Sequence, residues 1–245
     1  DFRLGARSVE GTVTGEMSFG TFDDLIAAAL RGEWQDNVLK GEFAALAKSV
    51  RFIPYKKGET IFKQGNRVND ISILMRGLTK TCIENRSHER NTIVSLQLPI
   101  DLLGYSTVFD ETYQATAVAL CDSIVAVFEQ NLAQQFALSN SKFASAMLET
   151  LCKKTNVFMK QIADLGQKQI KARMATIILI IADLIKSDFI DINISRNELA
   201  EYAGISTGSA IRLLSDLEKE GLIVLDKKTI DIKNRQGLEA VSMVD

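Results

Sequence analysis

Between Ile205 and Leu222 the chain reads ISTGSAIRLLSDLEKEGL. Leu213, Leu214 and Leu217 recur at helical spacing, Ser206 is a good N-cap, and Gly221 stands where a glycine closes a helix. Thr207, Ser209 and Arg212 lie outside that apolar set. They are two hydroxyls and a guanidinium, donors suited to an acceptor-rich surface. Arg196 stands ten residues before Ser206, just after Ser195 in SRNE, where Ser195 and Glu198 form a capping box. Two readings fit: a solvated face of one more amphipathic helix, or a helix that reads DNA. The neighbouring elements decide between them.

Other chemistries find little support. There is no P-loop, no GxGxxG, no zinc-ligand cluster and no nucleophile with a histidine partner, so no enzymatic activity is expected. The one histidine, His88, sits in the polar turn NRSHER. Cys82, Cys121 and Cys152 are far apart and form no CxxC, which disfavours a disulfide framework or zinc ribbon and fits a reducing cytoplasm. No metal site is expected. The 245 residues are 46% hydrophobic and 24% charged, with a formal net charge of −2. A nucleic-acid site must therefore be a local patch rather than a global field. The N-terminal stretch lacks the apolar run of a secretory signal. The most apolar segment, MATIILIIADLI (174–185), is too short and too polar to span a bilayer, so no membrane partner is expected.

The elements that must position the donors change character along the chain. Residues 1–20 carry no periodicity, and residues 22–50 read as two short helical pieces. From Phe52 to Phe128 come short apolar or alternating runs, RFIPY, TIFKQ, ISILM, KTCI, NTIVSLQL, ATAVAL and SIVAVF, separated by turn chemistry. They predict an antiparallel sandwich or barrel. A helical pattern follows from about Ser139 to Leu165. Leu148, Leu151, Thr155, Phe158, Ile162 and Leu165 are spaced 3, 4, 3, 4, 3, an a/d seam suited either to packing on the chain's own domain or to pairing with a second copy. Gly166 interrupts the pattern and marks a hinge or domain boundary. DFIDINIS predicts a short strand. The capped helix through Leu199 and Tyr202 stops at Gly204, and Ser206 at once starts the next. This is a helix-turn-helix, and LIVLDKKTIDI adds a hairpin, or wing.

These motifs carry a resemblance. ISRNELAEYAGIS…AIRLLSDLEKEGLI with KKTIDI resembles the C-terminal winged helix-turn-helix of the catabolite activator/fumarate-nitrate regulator (CRP/FNR) superfamily of bacterial transcription factors. YKKGETIFKQGN and ISILMRGLTK resemble the first strands of that family's cyclic-nucleotide-binding-type β-roll. The resemblance runs from about Phe22 to Leu238. It implies an α+β fold with an antiparallel β-roll sensor (21–138), a dimerisation helix (139–166) and a winged helix-turn-helix DNA-binding domain (167–245). The expected function is that of a cytoplasmic, homodimeric, sequence-specific transcription regulator. Its expected partners are double-stranded DNA, a second copy of itself through the seam, and RNA polymerase.

Carried over by position, Arg196 and Ser206 match phosphate-contacting residues and Arg212 matches the base-reading arginine, able to fork onto guanine O6 and N7. Thr207, Gly208 and Ser209 stand where many members carry Arg, Glu and Thr, so the operator sequence should differ. The effector pocket maps onto LLGYSTVFDETYQATA, with Gly104, Tyr105, Ser106, Gln114, Ala115 and Thr116 as its candidates. Tyr105 replaces the ribose-holding glutamate. Gln114 or Ala115 replaces the phosphate-binding arginine, which disfavours cyclic AMP as the cofactor. Three dispersed cysteines are too few for an iron–sulfur cluster. Haem, through His88 or Cys82, and other small effectors stay open. The competing expectation is a nucleotide-type or haem sensor whose DNA binding is secondary or lost.

Overall fold

A computed structural model describes residues 49–85, 91–191 and 194–244. The helical pieces expected over 22–50, and His88 in its turn, lie outside the described residues. Strands β1 (Arg51–Tyr55), β2 (Thr60–Phe62), β3 (Asp70–Arg76), β4 (Thr79–Ile83), β5 (Thr92–Gln97), β6 (Leu102–Leu103), β7 (Thr116–Ala119) and β8 (Ser123–Glu129) form two antiparallel sheets, ordered β1-β8-β3-β6 and β2-β7-β4-β5. The expected strand runs are all present, and β6 is an addition. Phe62, Val68, Leu74, Leu103, Tyr113, Val125 and Val127 fill the space between the sheets.

Strand β3 departs from simple alternation, with Ile71, Ser72, Ile73 and Leu74 all buried. Leu74 faces the interior of the roll, while Ile71 and Ile73 pack beneath α1 (Gln130–Ser139) against Phe128, Ala133 and Ala137. A strand covered on both faces reads as a continuous apolar run.

α1 was not expected as a separate helix. The long helix is α2 (Ser141–Gln167), so the helical pattern begins about nine residues before Ser139 and breaks near Asn140. The expected hinge also moves. Gly166 is helical, and the break falls at Lys168 and Gln169, before α3 (Ile170–Ile185). A glycine in a last helical turn weakens the helix without ending it, and the Asp164–Lys168 pair spans the end at 3.1 Å.

The apolar α3 is the buried centre of the C-terminal part. Around it lie β9 (Phe189–Ile190), α4 (Arg196–Ala203), α5 (Thr207–Lys219), the hairpin β10 (Ile223–Asp226) and β11 (Thr229–Ile232), and α6 (Arg235–Ser242). β9 adds to the hairpin to give the order β10-β11-β9. Arg235 pairs with Asp183, Asp188 and Glu239, holding α6 to α3 and to the loop before β9. The core of this part continues into the roll: Leu78, Cys82, Ile93, Leu96 and Leu120 share one apolar cluster with α3, α4 and α5.

Candidate nucleic-acid interface

Three residues join α4 to α5. Gly204 takes the left-handed conformation (φ 64°), and its N–H and that of Ile205 both return to the Ala200 carbonyl. Ile205 is buried and anchors the turn. Ser195 and Glu198 form the reciprocal capping box at the start of α4. Ser206 Oγ accepts from the Ser209 N–H at 3.0 Å at the start of α5. Both caps satisfy backbone donors that a helix start leaves without partners.

α5 buries Ala210, Leu213, Leu214 and Leu217 against the core and exposes Gly208, Ile211 and Arg212. The apolar stripe thus fixes which face points outward. Among the described residues no hydrogen bond or ion pair of Arg212 is found, and the side chain is exposed. Thr207 Oγ1 donates to Asn197 Oδ1 at 2.9 Å, and Ser206 Oγ donates to Ser209 Oγ at 2.8 Å. Arg196 Nη2 reaches the Lys227 carbonyl at the tip of the hairpin, at 3.4 Å. The structure therefore places Arg196 at the start of α4 against the hairpin tip, Ser206, Thr207 and Ser209 at the start of α5, and Arg212 on the exposed face midway along α5. Lys227 and Lys228, at the hairpin turn, join them. Their signal in the sequence is the DKK between the two alternating runs of the wing.

A second feature escaped sequence reasoning because it joins distant residues. Lys80 on β4 reaches across to α4, with Nζ 3.1 Å from Glu198 Oε1 and 3.4 Å from Glu201 Oε2. Its side chain is 11% exposed, and the two carboxylates are 16% and 10% exposed. Burial raises the Glu198 carboxyl, but the Ser195 N–H, the Lys80 ammonium and the Ser195 hydroxyl outweigh it, and the group titrates below its ordinary range. Nearby, Gln161 of α2 donates to Tyr202 Oη at 3.3 Å; burial pushes that phenol up to about 12. The first helix of the reading head is thus fastened both to the roll and to α2.

The expected seam lies open along α2. Leu148, Ile162 and Leu165 are 63%, 69% and 43% exposed. Leu151 and Thr155 are exposed, Phe158 is half-buried, and the Thr155 hydroxyl is satisfied by the Leu151 carbonyl at 2.9 Å.

The candidate effector residues are placed differently. Gly104 takes φ 70° ahead of a 3₁₀ turn, Tyr105–Val108, and a Cβ there would lie 2.7 Å from Thr107 Cγ2 and 3.2 Å from Phe62 Cζ. Ser106 is exposed, and its carbonyl accepts from Phe109 and Asp110. Phe62 stacks on Tyr113 at 4.2 Å. Gln114 is exposed and donates to the Thr112 carbonyl; Ala115 is half-buried. Thr116 is buried, accepts from the Gln64 N–H and donates to Glu84 Oε1 at 2.7 Å. The Glu84 carboxylate that takes the Thr116 hydroxyl also lies 3.8 Å from the Lys63 ammonium. Cys82 is buried in apolar core, and burial raises its thiol.

An antiparallel roll joined by a long helix to a capped helix-turn-helix with a three-stranded wing defines a class: DNA-binding regulators with a sensor-type domain. Comparison with known proteins agrees. Residues 172–241 match the Crp-like helix-turn-helix domain, and residues 52–140 match the cyclic nucleotide-binding domain. The chain is 23% identical to the transcriptional activator protein FnrA of Stutzerimonas stutzeri, over 77% of this chain and 79% of that one. It is 25% identical to a probable transcriptional activator of Rhizobium leguminosarum bv. viciae, over 76% and 79%. The structure of FixK2 from Bradyrhizobium japonicum superposes with a TM-score of 0.73 at 19% identity, covering 80% of this chain and 98% of that one. The chain belongs to the CRP/FNR family of transcription factors and is a DNA-binding regulator of that type.

Proposed function

We propose that the chain acts in the cytoplasm as a homodimer, paired through Leu148, Leu151, Thr155, Phe158, Ile162 and Leu165, and is not an enzyme. Two copies of α5 then enter successive major grooves, about 34 Å apart, on a pseudo-palindromic operator. Arg212 reads guanine, Arg196 and Ser206 hold phosphates, and Thr207 and Ser209 face the base edges or backbone. RNA polymerase is the partner through which bound protein changes transcription. The division 21–138, 139–166 and 167–245 is kept as the functional one, with α1 running up to its first internal boundary and α2 ending just past its second.

The observation that carries this reading is the exposed Arg212, without a partner among the described residues, on the outer face of a helix whose other side is locked in the core. From Lys168 to Asp245 there are 11 Lys and Arg against 12 Asp and Glu. Affinity must therefore come from a few placed contacts, helix N-termini and the second subunit.

The roll does not take cyclic AMP in this reading. The Phe62–Tyr113 stack, the Glu84 carboxylate beside Thr116 and the turn of Gln114 onto the Thr112 carbonyl all disfavour it. Haem ligation by Cys82 is disfavoured by its apolar burial.

The test is selection of bound duplexes from a random library at two salt concentrations, with the purified full chain. An enriched two-fold-related sequence is expected. Weak, salt-sensitive binding with no enrichment would overturn sequence-specific reading. Leu151→Glu should convert a sedimenting dimer to monomer; a dimer that survives removes the seam.

A further inference from the structure

A cavity of about 430 Å³ lies where the roll, α2, α3 and α4 meet. It is separate from the interior of the roll, and its volume is in the range of small-molecule sites. Ile93 of β5, Phe158 of α2 and Ile177 of α3 represent its mostly apolar wall. Two charged residues, Asp164 and Arg173, also line it.

Their situations differ. Asp164 is already paired with Lys168 at 3.1 Å. Arg173 has no carboxylate partner among the described residues. Its Nη1 lies 3.5 Å from the Gly204 carbonyl, a long contact, and its Nε is buried with no acceptor. A buried guanidinium N–H without an acceptor is costly, and such groups in native proteins call for a specific explanation. An apolar chamber with one unanswered cation is the arrangement that an apolar anion would complete.

We propose that this cavity binds a small apolar carboxylate, with its carboxylate on the Arg173 guanidinium and its hydrocarbon body along the apolar wall. A guanidinium fork matches a carboxylate in two parallel hydrogen bonds. With a single unpaired cation the site suits a monoanion better than a polyphosphate.

The position of Arg173 gives such a ligand leverage. Gly204 in the turn of the helix-turn-helix lies against both Arg173 and Leu165: a Cβ on it would meet Arg173 Nη1 at 3.4 Å and Leu165 Cδ2 at 2.9 Å. A carboxylate that draws the guanidinium away from the Gly204 carbonyl acts on the joint between α2 and the reading head. Ile162 and Leu165 border the cavity and also belong to the proposed seam, so a partner's helix would roof the bound ligand. The binding site stands on the cavity alone; the effect on DNA rests on the function proposed above.

The experiment is calorimetric titration of the full chain, without DNA, with decanoate and with decan-1-ol below their aggregation limits. Saturable decanoate binding at least tenfold tighter than decanol is expected. Arg173→Gln should remove that preference while keeping the far-ultraviolet circular dichroism of the parent. Should that variant not fold, Thr92→Trp, at an exposed strand position on the rim, should block decanoate by filling the chamber from the roll side. Equal binding of decanoate and decanol, decanoate binding that persists in the folded Arg173→Gln variant, or decanoate binding that persists in Thr92→Trp, would overturn the site. A chain that binds decanoate but selects no DNA sequence would support the site and break the functional reading instead.

Discussion

Two left-handed glycines mark the two places where this fold could take a signal, and they have opposite surroundings. Gly104, in the roll, faces Thr107 and Phe62, and the Phe62 ring is stacked on Tyr113. Gly204, in the helix-turn-helix, faces Leu165 and a guanidinium with an unanswered N–H, beside an open chamber. Around the first turn the polar side chains are engaged with one another, Gln114 with Thr112 and Thr116 with Glu84. The second holds a guanidinium, Arg173, that has no carboxylate partner among the described residues. Backbone geometry alone therefore does not say where a regulator of this fold senses.

The largest expected effect comes from the fastening that holds the reading head beside that chamber. Lys80→Ala leaves Glu198 and Glu201 buried without their cation, and should cost about 3–5 kcal/mol. The urea midpoint should fall accordingly; an unchanged midpoint would mean that the roll and the head are joined by apolar packing alone. The same pair sets an acid dependence. The folded Glu198 carboxyl titrates below its ordinary range, so its contribution is fully present above the pKa of an unfolded glutamate, about 4.3. It is lost as pH falls through the lower folded value. Acid unfolding should therefore be less steep in Glu198→Gln than in the parent.

Arg212→Lys tests the outward face next. A lysine keeps the charge but not the fork, so discrimination at the guanine position should drop by about 1–3 kcal/mol, with general affinity for DNA largely kept. Competition binding between the selected operator and a single-base variant measures it. Unchanged discrimination would remove Arg212 from base reading.

The two glycines can be compared directly. Alanine at either position must adopt a left-handed backbone, a cost of about 1–2 kcal/mol. Thermal unfolding should show similar losses for Gly104→Ala and Gly204→Ala. Only Gly204→Ala should also change DNA affinity, because only its Cβ meets the end of α2. Equal effects of both on DNA binding would dissolve the contrast.

What could be read from the residues follows from the range of the interactions involved. The caps at Ser195 and Ser206, the stop at Gly204 and the wing are set within a few residues, and all were legible. The strand runs of the roll were legible for the same reason. α1 was not, since its Gln130 and Gln134 look like a solvated face but donate to the carbonyls of Thr107, Asp110 and Val108. The break after α2 was misplaced at Gly166 because a glycine near a helix end does not by itself stop the helix. The placement of the donors around α5 was legible because one local motif, the two capped helices, carries them. The Lys80 fastening and the position of Arg173 were not, because each joins segments that only the tertiary fold brings together.

The smallest expected effect is an absence of response. A ligand present at a hundred times its dissociation constant stabilises a folded protein by about 2.7 kcal/mol. Millimolar cyclic AMP should leave the unfolding temperature of this chain unmoved, because Glu84 already takes the Thr116 hydroxyl and Gln114 is turned to Thr112. Supplying the missing cation alone, as Gln114→Arg, should not restore a response: the new guanidinium would be drawn to the Glu84 carboxylate, and the Phe62–Tyr113 stack would remain. A clear upward shift with cyclic AMP in the parent chain would show that the roll opens more readily than this packing implies. The contrast between the closed turn and the open chamber would then be one of resting conformation rather than of chemistry.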